Sequence, residues 1–369
     1  MGGPTAEYAA AQAVAGSFER CVCTRSRSPG SAFVQIAQHS DEQIRRWLRA
    51  YLDDPANADF LHYAGEMTAG ISDRYLWMMR YLAGLGRMRR ARVLDVGCGF
   101  GWHAVTLALL GGNRFVANDI RASMTDQVAR RVAAIRAQGA PVDIETLTGD
   151  ICSLDLPAES FDAVLIFEAI EHIHDLDKLF RVCHRLLRRG GRLVATNDNN
   201  ALSPEVAGRI QAMWRRRDRD WEYINELKRE RPIENADIEP YAVMRARAVR
   251  AVRPDLPPED VGAIVDATAG LTSEEIAEIA RAYTPQAALP APPRWSWCRN
   301  PETGEYCERL LDPFALADLL RKRGFRPQVR HGFRKPPLSL LNHTGLRWLD
   351  AQLFRMRSFF VLVAEKRQD

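Results

Sequence analysis

Arg92-Val-Leu-Asp-Val-Gly-Cys-Gly-Phe-Gly101 is the stretch that decides the fold. Residues 92–96 read as a short strand. Glycines then stand at positions 97, 99 and 101, and a helix-patterned stretch of roughly 101–110 follows. Glycine has no Cβ, so such a loop lets a ligand approach the backbone, and the helix behind it offers free N–H groups to an acidic group. Outward from this loop, strands are expected at 114–118, 144–148, 163–167 and 192–196, with helices at roughly 122–138 and 175–188. Strands alternating with helices predict a parallel sheet covered on both sides. The pair Gly190-Gly191 is expected to end the helix before the fifth strand.

The flanks read differently. Residues 1–40, rich in Ala, Ser, Gly and Arg, read as a mobile leader. Residues 41–90 read as an N-terminal helical extension: Ser40-Asp41-Glu42 starts a helix with Ile44, Trp47, Leu48 and Tyr51 on one face, and a second begins near Asp73 with Leu76, Met79 and Leu82 on its face. The core spans 91–202. After Asn200 the strand rhythm stops, and 203–300 reads as an inserted helical cap serving as a substrate lid, divided by Pro232, Pro254, Pro257 and Pro258 and left through the Pro-rich stretch 285–293. Its Trp214, Trp221, Tyr223, Tyr241, Trp295 and Trp297 suit the covering of a planar or glycan substrate. The arginine-rich run from Trp214 to Asp220 reads rather as a solvated helix face. Residues 301–369 return to the sheet, with a helix from Asp312 to Lys322, a strand near Val329 and a last strand at 359–364 that is apolar on both faces and therefore central.

Composition excludes several classes. In 369 residues, 51 basic against 47 acidic side chains leave a net charge of +4, too little to imply nucleic-acid binding. No run of eighteen apolar residues occurs and no basic residue precedes the first alanines, so no membrane span and a soluble, cytoplasmic protein are expected. The seven scattered cysteines read as reduced thiols. Cys21 and Cys23 form a C-x-C pair with no matching second pair, so no zinc site is expected.

Asp119 stands eighteen positions after Gly101 at the end of the second strand, where a carboxylate accepts from both hydroxyls of a ribose. A dinucleotide fingerprint needs two residues between its last glycines and this loop has one, which disfavours a nicotinamide oxidoreductase. The segment from Val93 to Gly101 resembles the first motif of class I S-adenosylmethionine-dependent methyltransferases, and residues 90–200 resemble that family's core. The landmarks come in order: the glycine loop, Asp119, Gly149-Asp150-Ile151 and Phe161-Asp162-Ala163-Val164. The resemblance implies a doubly wound, mostly parallel, seven-stranded Rossmann-like α/β sheet and S-adenosylmethionine as cofactor. It also implies that Gly97, Cys98, Gly99 and Gly101 face the methionine part, that Asp95 supports its amino group, and that Asp119 holds the ribose with Ile120 beside it. Asp150 would bond the adenine amino group, Ile151 would line the ring, and the backbone near Phe167 and Glu168 would close the site.

The reaction centre is read at Phe167-Glu168-Ala-Ile-Glu171-His172-Ile-His174. If a helical turn begins there, Glu168, Glu171 and His172 share a face. His172 is then a general base oriented by Glu171, or the three hold a divalent Mg or Mn ion, or the glutamates are solvated or capping and His172 merely packs under the cofactor. This E-x-x-E-H string looks like that of ubiquinone-type O-methyltransferases and of small-RNA 2′-O-methyltransferases. Between base and metal the base is preferred, because no fourth ligand is evident and His331 and His343 lie far down the chain. Asn197 or Asn199, in the polar run Thr196–Asn200, could orient the acceptor, although such runs are also turns. The expectation is methyl transfer to oxygen on a small secondary-metabolite, quinone or sugar-like molecule. An N- or C-methyltransferase, an RNA 2′-O-methyltransferase and a non-catalytic partner protein of this fold are the alternatives, and a homo-oligomer is left open.

Overall fold

The structure, a computed structural model, describes residues 39–53, 71–230, 237–332 and 344–367. Cys21, Cys23, Pro232, His343 and residues 1–38 of the expected leader lie outside the described residues.

Strands β1 (Arg92–Val96), β2 (Arg114–Asp119), β3 (Asp143–Thr148), β4 (Phe161–Phe167) and β5 (Leu187–Asn197) run parallel. β6 (Phe325–Arg330) and β7 (Phe360–Lys366) complete a seven-stranded sheet in the order β3-β2-β1-β4-β5-β7-β6, with β7 antiparallel to both neighbours. Successive side chains along a strand point to opposite faces. Val93, Ala163, Leu165 and Val194 therefore enter one apolar cluster, and Leu94, Val164, Ile166 and Leu193 the other. α1 (Asp41–Leu52), α2 (Asp73–Leu85), α3 (Trp102–Gly111) and α4 (Ala122–Ala137) cover the first face. α5 (Leu176–Leu186), α11 (Pro313–Lys322) and α12 (Arg347–Phe354) cover the second. With both faces covered, β4 and the stretches 193–195 of β5 and 360–364 of β7 read as apolar runs, and the last strand is paired on both sides, as expected of an interior strand. The strand order turns back between β1 and β4, and a crevice at the carboxyl ends there is where open α/β sheets bind ligands.

One local expectation is corrected. Gly190 and Gly191 do not end α5, which stops at Leu186; they lie inside β5. The pairing of β4 with β5 jumps from Phe161–Leu187 to Ala163–Arg192, so the extra residues form a bulge, and Gly190 takes the positive φ of 73° that it needs.

Between β5 and α11 stand α6 (Pro204–Arg219), α7 (Trp221–Glu230), α8 (Tyr241–Val252), α9 (Pro258–Ala267) and α10 (Ser273–Ala282). They have cores of their own, one around Val249, Ile264 and Ile276 and one around Ile210, Trp214 and Met244. The run from Trp214 to Asp220 is a solvated face only in part, with Arg215 and Arg219 exposed. Trp214 is fully buried, and Arg217 and Asp218 are buried as well. Tyr223 and Tyr241 are also buried, while Trp221 is half-exposed. No helix among the described residues is long and apolar enough to cross a membrane.

Asp218 meets Arg245 of α8 through two hydrogen bonds of 2.7 and 3.1 Å, and Arg245 also donates to the Val265 carbonyl at 2.9 Å. Arg245 is 1% exposed, so removing its carboxylate strands a guanidinium in the cap. Asp218→Ala should therefore lower unfolding free energy by about 3–5 kcal/mol in a urea titration. A loss below about 1 kcal/mol would show that the pair does not hold the cap together.

Candidate active site

The loop after β1 is shaped by its glycines. Gly97, Gly99 and Gly101 have φ of 68°, 50° and 68°, a region that a side chain disfavours. A Cβ on Gly97 would stand 2.5 Å from the Ala169 Cβ, and one on Gly101 would stand 2.9 Å from Val128. At Gly99 a Cβ would meet nothing within 4 Å, so this glycine leaves its approach side open. The N-terminal extension braces the loop, a role the sequence did not reveal. The Tyr51 hydroxyl of α1 donates to the Phe100 carbonyl, and Arg131 of α4 donates to the Tyr51 carbonyl at 2.9 Å.

Asp119 accepts from the Gly99 N–H at 2.9 Å and from the Arg121 N–H at 3.0 Å, which ties the end of β2 to the loop. Asn118 donates to the carbonyls of Leu147 and Gly149, each at 2.9 Å, and so joins β2 to the turn that carries Asp150. Asp150 is exposed and caps its own turn, accepting from Cys152 N–H at 2.9 Å and Ser153 hydroxyl at 3.0 Å. Ile151 is 4% exposed and Ile120 is 69% exposed. Asp95 is buried beneath the loop, and burial together with the Asp119 charge pushes its carboxyl up to about 7. Burial, and then the Asp95 and Asp119 charges, push the Cys98 thiol up as well.

No helical turn forms at Glu168-Ala-Ile-Glu171-His172, so the shared helical face expected there is corrected. Glu168 has φ +47° and turns aside, accepting from the Thr196 hydroxyl at 3.0 Å and the Asp198 N–H at 3.1 Å. Although Glu168 is open to solvent on one side, loss of hydration and the like charges of Asp198 and Glu171 raise its carboxyl. Glu171 and His172 instead come together on a tight turn, with Glu171 Oε1 3.8 Å from His172 Nε2. Glu171 is buried and its Oε2 has no hydrogen-bond partner. Burial, and then the Glu308 charge, raise its carboxyl.

Glu308 is the residue that sequence reasoning missed. It lies on a strap that leaves the cap, and one atom each of Glu171, His172 and Glu308 fit within 4.8 Å of one another. Asn199 donates to Glu308 at 2.6 Å, and the Tyr306 carbonyl lies 2.9 Å from His172 Nδ1. Burial opposes an imidazolium at His172, but Glu308 and the Tyr306 carbonyl outweigh it and raise its pKa. Arg309 caps the turn by donating to the Ile173 carbonyl at 2.7 Å and lies over the Tyr306 ring. Asn197 is fully buried, with Oδ1 accepting from Asn199 N–H and Nδ2 unpartnered. Phe167 packs edge-on to His103, and His331 faces Asp350 and Phe354.

Residues 94–195 match the family model described as a methyltransferase domain. The chain is 40% identical over 111 residues to a ubiquinone biosynthesis O-methyltransferase of Methylocella silvestris, covering 30% of this chain and 41% of that protein. It is 33% identical over 161 residues to a probable S-adenosylmethionine-dependent methyltransferase of Mycolicibacterium smegmatis, covering 42% and 59%. It is 31% identical over 150 residues to a sterol 24-C-methyltransferase of Yarrowia lipolytica, covering 39% and 38%. The alignments thus span between 38% and 59% of the length of these relatives.

Because the Asp95 carboxyl is raised in the folded protein, its contribution to stability is fully present below the unfolded pKa near 3.8 and is lost as pH rises through about 7. Glu168 and Glu171 act in the same direction. The ligand-free protein should lose a few kcal/mol of stability between pH 4 and 8, and Asp95→Asn should flatten part of that slope in urea titrations at both pH values. An unchanged slope in the variant would remove Asp95 from this account.

Proposed function

We propose that this chain, whose residues 94–195 are a class I methyltransferase domain, methylates an oxygen of a small acceptor and uses His172 as the base. The observation that carries the reading is the 2.9 Å contact of His172 Nδ1 with the Tyr306 carbonyl. A carbonyl can only accept, so Nδ1 facing Tyr306 keeps its proton and the neutral ring presents the Nε2 lone pair toward Glu171 and Glu308.

The open glycine loop and the ring of carboxylates fit S-adenosylmethionine, which carries positive charge on both sulfur and amino group. Asp95, Asp119, Asp150, Ile151 and the loop backbone would hold it. When bound, it supplies an electrophilic methyl on a sulfonium. Methyl displacement needs the acceptor oxygen close and in line, which is a positioning task for Asn199, Asp198 and the strap. A hydroxyl acceptor must also shed its proton, and His172 Nε2 takes it while Glu171 and Glu308 stabilise the imidazolium that results. The O-methyltransferase named among the relatives favours oxygen, whereas the sterol enzyme shows that carbon acceptors occur in the same neighbourhood. A small phenol- or quinol-like acceptor is the class we favour.

The test is a pH profile. His172→Ala should lower acceptor turnover by about 10²–10⁴-fold while cofactor affinity barely moves. Removing the Glu308 charge lowers the His172 pKa, so Glu308→Gln should shift the acid limb of kcat/KM to lower pH. Full turnover in His172→Ala would leave positioning alone as the source of rate.

A second reading is favoured by Glu308. It takes the place of Glu168, which is diverted to Thr196 and Asp198, so that three ligands converge, and the unpartnered buried Glu171 Oε2 fits a cation. Glu171, His172 and Glu308 would hold Mg²⁺ or Mn²⁺, which would lower the pKa of an acceptor hydroxyl. Calorimetry with Mn²⁺ should then show one site that Glu308→Ala abolishes, and a chelator should remove activity that added Mn²⁺ restores. Chelator-insensitive turnover with no heat of Mn²⁺ binding would leave the base reading alone.

A further inference from the structure

The strap that carries Tyr306 and Glu308 begins as a short hairpin. Arg299 and Tyr306 are antiparallel bridge partners, the Cys307 N–H donates to the Cys298 carbonyl at 2.9 Å, and the Asn300 N–H donates to the Glu305 carbonyl at 2.8 Å. This register sets Cys298 directly opposite Cys307 at a hydrogen-bonded position, where Cα atoms stand about 5.5 Å apart. Disulfides span Cα separations of about 4.4–6.8 Å, so a bridge here needs side-chain rotation and little backbone movement. Opposed residues also point to the same side. Both cysteines pack into the cap cluster that contains Trp214, whose indole N–H donates to the Cys307 carbonyl at 2.6 Å. Burial and the neighbouring Cys307 thiol push the Cys298 thiol up.

We propose that Cys298 and Cys307 are a dithiol modification site, closed to an intrachain disulfide by a low-molecular-weight disulfide, which pins the strap beside His172. This holds whether or not methyl transfer to oxygen is the activity. Cys307, the more accessible of the two, attacks one sulfur of oxidised glutathione as its thiolate, having given its proton to water, and one glutathione leaves. Cys298, after losing its proton, attacks the Cys307 sulfur of this mixed disulfide and expels the second glutathione. Two protein thiols are oxidised and one glutathione disulfide is reduced to two thiols. Because burial raises the Cys298 thiol, closure is slow at neutral pH and quickens as pH rises. The closed ring fixes the backbone between Tyr306, whose carbonyl holds His172, and Glu308.

The test uses the full chain, reduced, then incubated with oxidised glutathione, alkylated and cut with trypsin. Cleavage after Arg294, Arg299 and Arg309 puts the two cysteines in separate peptides, 295–299 and 300–309. These should be recovered linked, two hydrogens lighter than their sum, and should separate with dithiothreitol. Amide exchange across 299–306 should slow in the oxidised protein. Cys298→Ser should instead retain glutathione on Cys307. Recovery of both peptides alkylated, or of Cys307 joined to a different cysteine, would overturn the proposal, and the wild-type map decides this even if the variant fails to fold.

Discussion

Like charge gathered in one place is the constraint on which this structure turns. The carboxyl ends of β1, β2, β4 and β5 and the strap bring Asp95, Asp119, Glu168, Glu171, Asp198 and Glu308 to one side of the sheet. Arg209, 4.0 Å from Asp198, and Arg309, which also donates to the carbonyls of Ile170 and Ile173, offset part of this charge. Loss of hydration first, and the crowding of like charges after it, raise the carboxyls at Asp95, Glu168, Glu171 and Asp198. The fold softens the crowding with donors that carry no full charge. Gly99 and Arg121 backbone N–H groups serve Asp119, Thr196 serves Glu168 and Asn199 serves Glu308. A cationic ligand would relieve that crowding, as the proposed sulfonium cofactor requires.

The core was legible because its signals are local. The glycines at 97, 99 and 101 announce a loop that only positive φ can build, and apolar strand runs announce a sheet covered twice. Elements whose meaning depends on distant partners were not legible. Gly190-Gly191 looks like a helix stop in isolation, and becomes a bulge only because β4 fixes the register of β5. Trp214, Arg217 and Asp218 look like a wet helix face until α8 supplies Arg245 and Tyr241 to cover them. Glu168, Glu171 and His172 were readable as a cluster, but the helical spacing that grouped them does not exist; Glu168 is diverted by Thr196 and Asp198. Glu308 had no local signal at all, standing 136 positions after His172.

The strap gives the inserted helices a mechanical connection to the chemistry. Trp214 on α6 holds the Cys307 carbonyl, the next residue toward the N-terminus holds His172, and the next toward the C-terminus meets Asn199. Arg121, at the start of α4, reaches Glu305 on the same strap at 3.6 Å. One short segment is therefore in contact with the cap, the loop after β2 and the turn after β4. A shift of the cap cannot leave the imidazole environment unchanged, because the same backbone serves both.

The two readings of His172 compete for a single electron pair. With Nδ1 committed to the Tyr306 carbonyl, Nε2 can accept a proton or coordinate a cation, but cannot do both at once. The raised pKa favours the proton, and it does so through Glu308, the same carboxylate that would serve the cation. Glu308 thus strengthens both ligands of Nε2, and the balance between them is set by pH: each proton bound to His172 excludes the ion, so cation affinity must fall as the solution becomes more acidic. A site with one imidazole and two carboxylates within 4.8 Å is therefore selective by protonation state before it is selective by metal.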